Sequence, residues 1–88
     1  YRLYYRGVPN AGQDGRGDEV TCHAESADGR TFTRPDNNII LSKTPPFQHN
    51  FSPFLDTRPG VPAEERFKAL AGIQKSGLAA FASADGLR

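Results

Sequence analysis

Apolar positions along this chain fall mostly at every second residue, the spacing of strands, and they are punctuated by Gly, Pro, Asn and Asp. The clearest stretch is Glu19 to Glu25 (EVTCHAE), with Val20, Cys22 and Ala24 on one face and Thr21, His23 and Glu25 on the other. That pattern predicts a half-buried strand. Residues 2–6 (RLYYR) are rich in aromatics and free of turn formers, which also predicts a strand. Thr31-Phe32-Thr33 and Ile39-Ile40-Leu41 read as short strands. Residues 49–55 (HNFSPFL) read as extended, with Pro53 requiring an edge or a bulge because it has no N–H for a ladder. Residues 78–83 (LAAFAS) predict the last strand. Between these runs, 7–18 and 43–47 read as loops, and Asp36-Asn37-Asn38 and 56–62 as turns.

One stretch is ambiguous by local rules. Residues 62–72 (PAEERFKALAG) place Pro first, two Glu in an opening turn and Gly at the end, a helical arrangement. By alternation, Phe67, Ala69 and Ala71 would instead line one side of a strand. An internal repeat tips the reading to strand. Ser26-Ala27-Asp28-Gly29 recurs as Ser83-Ala84-Asp85-Gly86, each copy after an apolar strand. Each also follows an Arg-led segment ending in Gly: Arg2 to Gly7, then Arg66 to Gly72. Strand, loop, strand, turn, strand is a meander, and repeated meanders define propeller blades. The expected fold class is therefore all-β: antiparallel β-meanders forming about two blades of an incomplete β-propeller. Residues 1–42 would end one blade and 48–88 would supply most of the next. A closed ring needs about four blades or more, so the chain reads as a partial β-propeller domain that does not make a working enzyme by itself. Tyr1 in place of an initiator Met fits the same reading.

Composition sharpens this picture. Only 36% of the 88 residues are hydrophobic, Trp and Met are absent, and Gly and Pro number 9 and 7. Such a core is thin, and the lone Cys22 offers no internal disulfide. No Cys/His set has zinc-site spacing, and no cofactor is expected. Eleven basic residues against ten acidic ones, scattered, give no patch for nucleic acid. No apolar run reaches the ~20 residues of a membrane span.

Several stretches, in order, resemble a known family: Arg2-Leu3-Tyr4-Tyr5, Cys22 to Pro35, Asn37 to Leu41, His49 to Phe54, Pro62 to Leu70 and Phe81 to Leu87. The chain resembles bacterial extracytoplasmic proteins related to the five-bladed propellers of family 32 and 43 glycoside hydrolases. The resemblance implies an extracytoplasmic location, a carbohydrate partner, and contact with the remaining blades of a parent propeller. It implies that Pro62 to Leu70 is a turn followed by a strand. It also implies that His49-Asn50 opens an innermost strand facing a sugar pocket, so His49 and Asn50 are the candidate substrate-binding residues. Both side chains can hydrogen-bond sugar hydroxyls, although capping of the strand's start would account for them equally. Three departures stand out. Phe32 occupies a position where the family has Trp, a stretch is shortened between Pro35 and Asn37, and Ser52 stands where the hydrolases place an Asp.

Glycoside hydrolysis uses two carboxyl groups, and no pair can be named here. Asp28 and Asp85, with Ser26, Gly29, Ser83 and Gly86, read as structural turn residues. Glu64 and Glu65 fall in a solvated turn, and Asp14, Asp18 and Asp36 in loops. Glu25 and Asp56 are the least readily explained. Cys22 and His23 point to opposite faces of one strand, so they form no nucleophile–base pair. The leading expectation is a carbohydrate-recognising or glycoside-hydrolysing propeller. A non-catalytic propeller that binds or scaffolds is the alternative favoured by Ser52, and a small α+β domain with a helix over 62–75 is a third.

Overall fold

The computed structural model describes residues 1–9, 19–42 and 47–88. Of the loops expected over 7–18 and 43–47, residues 10–18 and 43–46 lie outside the described residues, and with them Asp14 and Asp18. The structure is all-β, with two antiparallel three-stranded sheets. Sheet A comprises β1 (Arg2–Gly7), β2 (Val20–Glu25) and β3 (Ile39–Leu41) in that order. Sheet B comprises β4 (Ser52–Leu55), β5 (Phe67–Ile73) and β6 (Gly77–Ser83), also in sequence order. No closed barrel forms among the described residues, consistent with an incomplete propeller.

The ambiguous stretch resolves into both of its signals at different places. Ala63–Glu65 make a single 3₁₀ turn after Pro62, and the strand starts at Phe67. Helical propensity is a weak prior that tertiary pairing overrides. Here β5 is the central strand, laddered to β4 from Ser52↔Leu70 to Leu55↔Phe67 and to β6 from Phe67↔Ser83 to Ile73↔Gly77. Its alternation puts Ala69 and Ala71 in the core. The small α+β alternative is thereby overturned: no helix packs over 62–75. Pro53 lies on β4, an edge strand, where its missing N–H removes no ladder bond.

Tight turns hold the meander. At the β5–β6 connection a Cβ on Gly72 would stand 2.1 Å from the Gly77 carbonyl oxygen, and Gly72 has φ 139, so only glycine fits. The two Ser-Ala-Asp-Gly turns are near-copies in space. In each, the Ser hydroxyl accepts from the Asp and Gly amides: 3.2 and 2.8 Å at Ser26, 3.3 and 3.0 Å at Ser83. The Asp Oδ1 accepts from the next two amides after Gly: 2.8 and 2.9 Å at Asp28, 2.8 and 3.0 Å at Asp85. Gly29 and Gly86 share φ 75. The ladders also correct the alignment of the upstream segments. Arg2 faces Glu25 while Lys68 faces Ala82, each partner one residue before its Ser, so Arg2 corresponds to Lys68 rather than to Arg66.

The sheets meet through the face of sheet A that carries Arg2 and Tyr4 and the face of sheet B that carries Phe67, Ala69 and Phe81. Phe51 packs between them, its ring tilted 51° to Tyr4 at 6.0 Å between centroids and edge-on to Phe81 at 6.1 Å. The Arg2 guanidinium lies 5.4 Å from the centre of the Phe67 ring. Tyr4 Oη donates to the Gly86 carbonyl at 3.0 Å, and Arg2 Nη1 donates to the Asp85 carbonyl. The second repeat turn is thus clasped by the first strand.

One sequence expectation needs correction here. β2 is buried on both faces, with Thr21 and His23 as sheltered as Val20, Cys22 and Ala24. Thr21 Oγ1 and His23 Nδ1 each find a backbone carbonyl, which offsets the penalty of burying them. Thr21 Oγ1 donates to the Gln48 carbonyl at 3.4 Å, and His23 Nδ1 lies 3.3 Å from the Asn38 carbonyl.

Candidate functional site

His49 and Asn50 precede the strand rather than forming part of it. Residues 47–50 make a turn and β4 begins at Ser52. Asn50 adopts φ 55, a left-handed conformation that Asn tolerates better than most side chains. The turn is stitched to the end of β5: the Gly72 amide donates to the His49 carbonyl at 2.9 Å, and Asn50 Nδ2 donates to the Gly72 carbonyl at 3.1 Å. Asn50 therefore does structural service through its amide nitrogen.

The imidazole of His49 meets a carboxylate. Its Nδ1 is 3.1 Å from both oxygens of Glu19, which leads into β2 and is only 4% exposed. Arg6 Nε, on β1, is 3.3 Å from Glu19 Oε2. A buried carboxylate needs this kind of company, because an unpaired charge would be expelled or neutralised. The formal charges of Arg6 and Glu19 oppose each other.

Next to this cluster opens a cleft of about 170 Å³, lined by Tyr4, Tyr5, Arg6, Thr21, Gln48, Asn50 and Phe51. It draws on β1 and β2 of sheet A and on residues 48–51, which lead into β4 of sheet B. Both tyrosine hydroxyls are engaged outside it: Tyr4 with Gly86, and Tyr5 as acceptor of Asn38 Nδ2 at 3.0 Å. The rings remain as its walls. Gln48 is 3% exposed, and among the described residues neither its Nε2 nor its Oε1 has a hydrogen-bond partner.

The other acidic candidates are accounted for by local structure. Asp28 is held down to about 2 by the Thr31 and Arg30 amides and the Ser26 hydroxyl. The Leu87 amide and the Arg88 guanidinium hold the Asp85 carboxyl well below the usual range. Asp56 is likewise depressed, first by Arg58 and then by Lys68, whose Nη2 and Nζ both sit 2.7 Å from Oδ2. It ties the residues after β4 to β5. Glu25 is exposed and 3.8 Å from Arg2 Nη2. Ser52 is exposed, its hydroxyl donating to the Asn50 carbonyl at 3.3 Å. Burial pushes the Cys22 thiol up, the mark of a packing residue.

Glu19, Arg6 and Gln48 are the residues that sequence reasoning missed. Period-two spacing extended back from Thr21 and His23 puts Glu19 on their face, and that was the available signal. Among the described residues, no group of three or more His, Cys, Asp or Glu is placed to hold a metal ion. No helix among them is long and apolar enough to cross a membrane, which says nothing of β-barrels. Comparison with protein-family models, curated proteins and solved structures returned no match.

Proposed function

We propose that this chain is part of a carbohydrate-active, glycoside hydrolase-like β-propeller of extracytoplasmic location, and that it supplies one wall of the pocket that recognises a glycosidic substrate. The observation that carries this reading is the cleft between sheet A and residues 48–51. It combines aromatic walls (Tyr4, Tyr5, Phe51) with polar groups of both hydrogen-bonding senses (Arg6, Thr21, Gln48, Asn50), the mixture that binds a ring with apolar faces and a hydroxylated rim. His49 acts from outside the lining, through Glu19, and Asn50 shapes the turn that brings Gln48 to the cleft.

Within this reading the chain binds rather than cleaves. Ser52 carries no charge and engages the backbone. The described residues lining the cleft include no carboxylate, and Glu19 is occupied by Arg6 and His49. This favours a non-catalytic binding or scaffold module over a hydrolase. The test is a two-dimensional amide NMR titration of the chain with mono- and oligosaccharides, alongside a reducing-sugar release assay. Shifts confined to residues 4–6, 21 and 48–51 without sugar release are expected. Shifts elsewhere, or none, would overturn the carbohydrate reading, and sugar release would overturn the non-catalytic one.

A further inference from the structure

The two repeat units put equivalent residues in unequal surroundings. The ladders equate Arg2 with Lys68, Tyr4 with Leu70 and Thr21 with Leu78. In sheet A these positions lie on the face turned to sheet B, and Thr21 is only 2% exposed. In sheet B the same positions lie on the face turned away from sheet A, because strand residues alternate between faces. There Leu78 is 69% exposed, Leu70 is exposed beside it, and so is Phe54, which pairs with Lys68. No described strand covers them. This face is more apolar than its counterpart and yet open, the usual mark of an interaction surface.

The packing of sheet A on sheet B indicates what fits it. The Arg2–Tyr4 face of sheet A seats on the face of sheet B that carries Phe67 and Ala69. By the same register Tyr1 corresponds to Phe67 and Leu3 to Ala69: Tyr1 exchanges both backbone bonds with Ser26, and Phe67 pairs with Ser83. Local detail repeats too, since a Cβ on Gly29 would meet the Tyr1 ring as one on Gly86 meets the Phe67 ring. Tyr1, Leu3 and Ile39 are exposed. The chain therefore carries one open face of each kind, and these two kinds already mate within it.

We propose that a second copy of this chain docks the Tyr1–Leu3 face of its sheet A onto the open Phe54–Leu70–Leu78 face of sheet B, repeating between copies the packing of A on B. Such a head-to-tail contact closes into a ring if its rotation allows. A propeller ring holds about four to eight blades, so about two to four copies would close one. The contact of Arg2 with Phe67 has its counterpart in Lys68 and Tyr1 of the second copy, but Lys68 is held by Asp56, so the apolar residues carry the association. The proposal goes beyond the carbohydrate reading and does not depend on it. The experiment is light scattering and amide NMR on the parent chain, diluted from millimolar to micromolar concentration. A mass of two copies or more is expected at the upper end, with dilution shifts on both faces, at 1–3 and 39 and at 54, 68–70 and 78–82. Leu78→Glu and Leu3→Glu, both at exposed sites, should each weaken self-association by at least about tenfold. Mixed, they should pair one to one with the parent's affinity, because each supplies the face the other lacks. A parent that stays monomeric, shifts on one face alone, self-association of Leu3→Glu equal to the parent's, or a mixture that does not pair would each overturn the proposal. Thermal melts check both variants; Leu78→Gln or Leu3→Gln replaces one that does not fold, and the parent's dilution series decides on its own.

Discussion

Substituting Ala for Gly86, with Gly29→Ala as its matched control, isolates what the packing of the two sheets contributes to stability. Both glycines sit at φ 75 in turns with the same hydrogen bonds. The cost of placing a Cβ in left-handed backbone, about 1–2 kcal/mol, is therefore common to both. Their surroundings differ. A Cβ on Gly29 would lie 3.4 Å from the Tyr1 ring, an ordinary contact. On Gly86 it would lie 2.5 Å from Tyr4 Oη, 2.6 Å from Arg2 Nη1 and 2.9 Å from the Phe67 ring. Arg2 can swing aside only by giving up its bond to the Asp85 carbonyl, and Tyr4 only by giving up Gly86. Overpacking of this kind costs about 1–3 kcal/mol, which is the predicted gap between the variants. In a domain of this size each kcal/mol lowers the melting midpoint by roughly 4–8 °C. Circular dichroism melts with heat and with urea on the three proteins measure it. Equal losses for the two variants would refute the packing of β1 against the second turn.

Other outcomes follow from individual groups. Asp28 has a folded-state value of about 2 against an ordinary 3.8, so its contribution is complete above about pH 4 and is lost as the pH falls towards 2. Melts of the parent and Asp28→Asn between pH 2 and 5 should converge at the acid end, and parallel curves would sink the assignment. Cys22 is buried with its thiol pushed up. It should resist a disulfide reagent in the native state and react fully in urea; immediate stoichiometric labelling of the folded chain would contradict its place in the core.

How much of this was legible in the sequence depended on how local each feature is. The two Ser-Ala-Asp-Gly turns were readable because four adjacent residues make their own hydrogen bonds. The strand at Phe67–Ile73 was not readable locally, since PAEERFKAL satisfies helix rules. It became so only through the repeat, because pairing on both edges decides the matter and pairing is a long-range fact. The repeat in turn misled by two positions, aligning Arg2 with Arg66, because an Arg-led segment carries no record of ladder register. Thr21 and His23 read as solvent-facing for the same reason. Their partners, the carbonyls of Gln48 and Asn38, are distant in sequence. Glu19 and His49, 30 residues apart, give no joint signal until the turn at 47–50 folds back on sheet A.

That distance dependence extends to the site itself. Tyr4 is its common member: the ring lines the cleft and packs against Phe51, and its hydroxyl is fastened to Gly86. A Cβ at Gly86 would push on Tyr4 Oη and so reach a cleft whose polar residues come from other elements. Gly86→Ala should therefore weaken the proposed sugar binding beyond its effect on the folded fraction, whereas Gly29→Ala, whose Cβ would meet Tyr1, should not. Titrations read at a temperature where all three proteins remain folded separate the two effects. Equal affinities would mean that the cleft is held by β1, β2 and the 47–50 turn without the clasp at Gly86.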